Sequence, residues 1–179
     1  MLKSEISALS EDTIISFIEM ASVSNFGYIE TMEERTLGEV KKGSYTYFAE
    51  GDIIIAKITP CMENGKCAIA KGLKNKIGFG SSEFHTFRCN NKVKTEFLFG
   101  YLNRSSIREL AADNMTGASG HRRVPIEFYE NLDIPLLEIS EQNKVVAKVE
   151  ELEAKIADAE KQLEALQGKT AEILNKYLQ

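Results

Sequence analysis

The stretch VVAKVEELEAKIADAEKQLEALQGKTAEILNKY, from Val145 to Tyr177, divides the chain. Within it Val145, Val149, Leu152, Ile156, Ala159, Leu163, Leu166, Thr170, Ile173 and Tyr177 recur in alternating steps of four and three. That is an a/d heptad seam. A strict 3.5-residue period favours a helix that pairs with another helix, the alternative being packing onto its own domain. At 1.5 Å per residue the segment predicts a straight helix of about 50 Å. Ser140 offers a capping hydroxyl at its start. A helix is therefore expected over residues 141–179, with a globular domain over 1–140. Val149, Leu152, Ile156, Leu163, Leu166 and Ile173 are the expected dimerisation residues. Gly168 falls inside the seam and weakens the helix locally, by about 1 kcal/mol relative to Ala.

Upstream of this helix the pattern is different in kind. Short apolar stretches alternate with turn signals. Residues Thr13 to Met20 read as a strand with Ile15, Phe17 and Met20 inward. Ile53-Ile54-Ile55-Ala56 follows Glu50-Gly51-Asp52 and reads as a buried strand entered through a turn. Cys67 to Ala70 and Phe84 to Arg88 predict further strands, with Gly72, Gly78 and Gly80 at the turns between them. From Thr95 the period becomes helical, through Phe97, Leu98, Tyr101 and Leu102 and then Ile107, Leu110 and Ala111. Asn114 to Gly120 is a polar loop. The expected fold class is α+β: a mixed or antiparallel sheet with helices after it, followed by the long C-terminal coiled-coil helix.

Composition agrees with one compact domain and a small appendage. The 179 residues are 43% hydrophobic and 27% charged, with nine Phe and six Tyr, which suits a folding chain and not a disordered one. No apolar run approaches the ~18 residues of a membrane span, so no membrane association is expected. The start MLKSEISALSED has no basic n-region or apolar h-region, so no signal peptide is expected. Three cysteines, an odd count, argue against a disulfide scaffold and for a reducing cytoplasm.

The net charge of −5 is an average over unlike segments. Residues 1–40 hold 2 basic and 8 acidic residues, whereas residues 41–125 hold 14 basic and 7 acidic. A polyanion meets the local field, so the positive middle outweighs the acidic total as a guide to partners. A solvated lysine-rich surface is the plainer alternative.

Catalytic signatures are missing. Gly65-Lys66 ends a run in which Pro60 occupies the first glycine of a phosphate-binding loop. Gly78-Phe79-Gly80-Ser81-Ser82-Glu83 departs from a dinucleotide fingerprint at Glu83, and no nucleophile elbow occurs. Asp52, Glu63 and Lys66 suggest a nuclease carboxylate–lysine cluster, but the spacing is off by one. Cys61, Cys67, His85 and Cys89 are a conceivable zinc set. Their spacing is poor, and cysteines acting as small apolar residues account for them better.

The positive candidates are three polar loops within the basic segment. Lys57 to Lys66 carries Lys57, Thr59, Asn64 and Lys66; Gly80 to Glu83 leads through Ser82 towards Arg88; Met115 to Arg123 is glycine-broken, hydroxyl-rich and basic. Asn, Thr and Ser can read base edges, Arg can grip guanine or phosphate, and glycine lets the backbone approach closely. Each loop alone also reads as an ordinary turn. Together they predict a DNA-contact set on one surface: Lys57, Thr59, Asn64, Lys66, Ser82, Arg88, Thr116, Ser119, His121, Arg122 and Arg123.

Four motifs in order carry a family resemblance. FAEGDIIIAKITPCMENGK (Phe48 to Lys66), GFGSSEFHTFR (Gly78 to Arg88), MTGASGHRRVP (Met115 to Pro125) and IPLLEISEQ (Ile134 to Gln142), followed by a heptad helix, resemble specificity subunits of type I restriction-modification systems. The resemblance implies a target recognition domain that reads one half of a split DNA site, and a helix that spaces it from a second such domain. It implies no catalysis and no cofactor of its own. The implied partners are double-stranded DNA, the methyltransferase (modification) subunit and the restriction subunit, so that the chain directs DNA methylation. A full specificity subunit has two recognition domains and two helices; this sequence shows one of each and resembles a half subunit, either natural or cut from a longer chain, of which two copies restore the pseudo-symmetric arrangement as a homodimer. The family implies antiparallel pairing. The charges favour parallel pairing, because e positions hold Glu153 and Glu160 while g positions hold Lys148, Lys155, Lys169 and Lys176. The rival readings are a small metal-dependent nuclease, a zinc protein, and a protein-binding coiled-coil adaptor.

Overall fold

Continuous apolar runs demand cover on both faces, and the computed structural model provides it. The structure describes residues 5–177, apart from the side chains of Glu160, Glu164, Ala171, Glu172 and Leu174 in the final helix. Its elements are β1 (Ile14–Ile18), β2 (Glu33–Thr36), α1 (Leu37–Lys41), β3 (Thr46–Ala49), β4 (Ile53–Ala56), β5 (Cys67–Ile69), β6 (Ile77–Gly80), β7 (Phe84–Phe87), α2 (Thr95–Leu102), α3 (Ser105–Asp113), α4 (Ile126–Glu130) and α5 (Ile139–Tyr177). The strands form a four-stranded sheet, β2-β1-β6-β3, and a three-stranded sheet, β5-β4-β7. Among the described strands only β1 and β6 pair in parallel; the other neighbours are antiparallel. The expected α+β class holds.

Side-chain alternation then sorts the core into three layers. Ile15 and Phe17 of β1 meet Leu37 and Val40 of α1, with Tyr47 and Phe79, on one face of the larger sheet. Ile18, Phe48, Ile54, Ala68 and Phe84 fill the space between the two sheets. Ile53 and Ile55 point the other way, onto Leu102, Ala111, Val124 and Tyr129. All four residues of β4 are buried because both of its faces are covered.

Four expectations change. The strand read as Thr13 to Met20 closes at Ile18, and Met20 is only half-buried beyond its end. Gly78 and Gly80 are inside β6 and not at turns. A Cβ on Gly78 would fall 2.1 Å from the Phe48 ring, so glycine here lets an aromatic lie flat on the strand. The helices do not all follow the sheets, since α1 stands between β2 and β3. It is started by a capping box in which Thr36 Oγ1 accepts from Glu39 N–H and Glu39 Oε2 accepts from Thr36 N–H. Ser140 is no cap either: α5 already includes Ile139, and the Glu138 carbonyl accepts from Glu141 and Gln142 N–H.

The chain divides into two units, one ending at Leu136 and the other starting at Leu137. Taken by itself, the second unit is α5. It runs 39 residues, roughly 58 Å, and passes through Gly168 without a break. Val145, Val149, Leu152, Ile156, Leu163, Leu166, Ile173 and Tyr177 are between 43% and 76% exposed along it. Lys155 is paired with Glu151 one turn earlier on the same helix. The Glu160 side chain, assigned above to an e position, lies outside the described ones.

Candidate nucleic-acid interface

Strand β4 ends at Ala56 opposite Phe84, the first residue of β7. The loop 57–66 therefore leaves the small sheet at the same end at which the Ser81–Glu83 loop enters it. Backbone bonds then join all three predicted loops. Lys57 N–H donates to the Glu83 carbonyl at 2.9 Å, and the Lys57 carbonyl accepts from Val124 N–H at 2.8 Å. Thr59 N–H donates to the Arg122 carbonyl at 3.0 Å. Ile58 and Thr116 each form a bridge with Arg123. Lys57, Thr59, Asn64, Lys66, Ser82, Thr116, Ser119, His121, Arg122 and Arg123 thus belong to one bonded loop cluster.

Arg88 does not. It follows β7 at the opposite end, where Phe87 pairs with Ile53, next to Asp52. Its Nε and Nη2 donate to the two Asp52 carboxylate oxygens at 2.6 and 2.8 Å, and Nη1 donates to Glu5. Asp52 is 1% exposed and also accepts from Ala49 N–H. Two carboxylates hold the guanidinium protonated, well above its ordinary pKa, with the Asp52 hydrogen bonds as the main cause. Arg88 is thus held as a bracket at the far sheet end.

Inside the cluster, side chains divide into framework and free tips. Arg123 grips Glu83 bidentately, Nε to Oε2 at 2.9 Å and Nη2 to Oε1 at 2.7 Å, and this bond holds the Glu83 carboxyl below its usual range. Arg122 Nη2 donates to the Ala112 carbonyl at 2.8 Å. Lys66 Nζ donates to the carbonyls of Met20 and Val23. Thr59 Oγ1 donates to Glu63 Oε1 at 2.7 Å. His85 Nε2–H points to the Val124 carbonyl at 2.8 Å, and burial keeps the ring pKa low, so it donates as a neutral imidazole. By contrast Asn64, Ser82, Thr116, Ser119 and His121 are exposed, and among the described residues their side chains make no hydrogen bond. The geometry is a backbone-locked ridge presenting amide, hydroxyl and imidazole groups outward.

Among the described residues the rival chemistries find no assembled site. Asp52, Glu63 and Lys66 are each bonded to different partners, as above. Among the described residues no group of three or more His, Cys, Asp or Glu is placed to hold a metal ion. Cys67 is fully buried in the core with its thiol pKa raised by burial, and His85 is committed to Val124. No helix among the described residues is long and apolar enough to cross a membrane.

Glu83 is the framework residue that sequence reasoning left without a role. Its signal was the single acid within the Gly80–Glu83 loop.

A layered α+β recognition-type domain, bearing a bonded loop ridge and followed by one long helix, defines the class of protein. Solved structures share that architecture. One is the HsdS subunit from Thermoanaerobacter tengcongensis, with TM-score 0.67 and 24% identity over 92% of this chain and 41% of that one. Another was solved in work on complex assembly and conformational transition of the type I restriction-modification system, with TM-score 0.72 and 25% identity over 94% of this chain and 43% of that one. The specificity subunits of the type I restriction enzymes EcoEI and EcoAI, both from Escherichia coli, are 37% and 39% identical over 150 residues, which is 83% of this chain. This chain spans about a quarter of the length of those curated relatives. Residues 1–168 match the type I restriction modification DNA specificity domain, and the chain belongs to that family.

Proposed function

We propose that this chain is a non-catalytic DNA-recognition subunit of a type I restriction-modification assembly, reading one half of a bipartite site. The observation that carries the reading is the bonded loop ridge in the positively charged segment, with Asn64, Ser82, Thr116, Ser119 and His121 free to meet base edges. Lys57 adds charge without a carboxylate partner among the described residues, while Arg122 and Arg123 hold the ridge in shape. The partners in this reading are double-stranded DNA, the methyltransferase subunit and the restriction subunit, working in the cytoplasm.

The test is direct. Changing Asn64, Thr116 and Ser119 together to Asp places three anions where phosphates and base edges come. It should weaken duplex binding by the assembled complex by about tenfold or more and leave thermal stability unchanged. Unchanged binding would remove the ridge from the interface. The purified chain alone should transfer no methyl group from S-adenosylmethionine; transfer without the modification subunit would overturn the non-catalytic assignment.

The exposed seam of α5 supports pairing of two copies. Burying each large aliphatic side chain contributes ~1.5–3 kcal/mol, so a few seam contacts per chain can offset the cost of association. Two identical readers related by a twofold axis recognise identical half-sites on opposite strands. The methylated target is then an interrupted palindrome whose spacer is set by the helix.

A further inference from the structure

The connection from β1 to β2 carries Phe26, which at 85% is the most exposed large apolar side chain of the described chain; Tyr28 beside it is 55% exposed. This tip is cross-braced by hydrogen bonds. Val23 and Ile29 form an antiparallel bridge, Ser24 N–H donates to the Tyr28 carbonyl at 2.9 Å, and Ser24 Oγ accepts from Phe26 and Tyr28 N–H. It is also fixed to the loop ridge. Lys66 Nζ reaches from the 57–66 loop to the Met20 and Val23 carbonyls at the base of the tip. A Cβ on Gly65 would fall 2.7 Å from Arg108 Nη1 and 3.2 Å from the Asn25 carbonyl. Gly27, at φ +96°, brings the tip against α2, where a Cβ would meet Phe99 at 2.7 Å.

The arginines of the chain differ in whether a carboxylate neutralises them. Arg35, Arg88 and Arg123 are each ion-paired with carboxylates. Arg108, whose Nη1 would stand 2.7 Å from a Cβ on Gly65, and Arg104, next in sequence to the Asn103 side chain that Gly27 approaches, have no carboxylate partner among the described residues. Arg108 Nη1 donates to Asn103, and Arg104 stands 5.8 Å over the Tyr101 ring. An apolar ring held in water, on a tip that packs against the element leading into two unneutralised guanidinium groups, fits a partner that offers flat apolar surface and dense negative charge together. Nucleic acid offers both: the base step takes the ring and the backbone takes the arginines.

We propose that Phe26 is a DNA-contacting wedge, its ring packing on bases while Arg104 and Arg108 hold the adjoining phosphates. The inference rests on the DNA-recognition reading above and extends its interface beyond the loop ridge.

The chain contains no tryptophan, so F26W introduces a lone fluorescent reporter at the tip. The full chain is titrated at low salt with a mixed-sequence duplex, while the anisotropy of a labelled copy of that duplex follows binding independently. Loss of F26W emission in step with duplex binding is the expected result. F26A should weaken binding by about fivefold or more while melting like the wild type. R104A/R108A should lower the salt slope by about 1 for each phosphate the variant no longer neutralises. Duplex binding with no change in F26W emission would overturn the wedge and leave the DNA reading standing. An emission change on adding the modification subunit, with none on adding duplex, would overturn it in favour of a protein-docking tip. Absence of any duplex binding by the wild-type chain, both alone and assembled with the modification subunit, would overturn both.

Discussion

Asp52 and Arg88 show how a charge readable in the sequence takes its role from a partner that is not. Arg88 stands among basic loop residues in the sequence, but its partner lies 36 residues earlier and the pair closes the sheet end away from the ridge. R88A strands a buried carboxylate. We expect a loss of about 2 kcal/mol in urea unfolding, below the usual range for a broken buried pair because the guanidinium is partly in water. The folded variant should keep wild-type duplex affinity; a loss of affinity at unchanged stability would return Arg88 to the interface. His85 gives a pH signature. Burial, followed by the charge of Lys57, lowers its pKa below the ordinary 6.5, while its bond to Val124, Glu127 and Glu83 oppose the shift. The unfolded chain therefore takes up the proton first. The contribution of His85 is complete above about pH 6.5 and is lost as the pH falls below it towards the folded-state value. Melting temperature should drop as the pH falls below about 6.5, and H85Q, whose amide N–H can still donate, should flatten that drop. The residue types of the ridge were legible because hydroxyls, amides and arginines in glycine-broken loops have few other uses. Their division into framework and free tips was not, since Arg123–Glu83 spans 40 residues and Lys66 reaches back 43 to Val23.

At the scale of elements, period decided what was readable. The a/d spacing in α5 is local, so the helix and its exposed seam follow from the sequence alone. Strand β4 was legible for a similar reason, as a short isoleucine run after a turn. Strand β2 was not: Glu33-Glu34-Arg35-Thr36 has no apolar residue, which suits a sheet edge and gives no alternation to detect. Gly78 and Gly80 read as turns because what crowds them, the Phe48 ring at Gly78 and the Ile18 carbonyl at Gly80, comes from 30 or more residues away. The seam carries its own prediction. I156D/L163D puts four charges into a paired seam and should yield a monomer by sedimentation with the melting transition of the globular unit retained. A wild-type monomer at tens of micromolar, roughly the concentration scale of a weak complex, would rule out pairing through α5.

At the scale of the molecule, the proposed function sets one reader beside one helix. The chain spans about a quarter of its curated relatives, and the exposed seam is the proposed means of recruiting a second reader. Symmetry would then convert one loop ridge into a two-part target, and the modification subunit would turn the reading into a methyl mark. The central claim is that this chain chooses the DNA sequence. It is tested most directly by methylome sequencing of one host strain carrying the modification subunit with and without this chain. A methylated interrupted palindrome should appear only when the chain is present and disappear in the N64D/T116D/S119D variant. The same methylated motifs with and without the chain would contradict it.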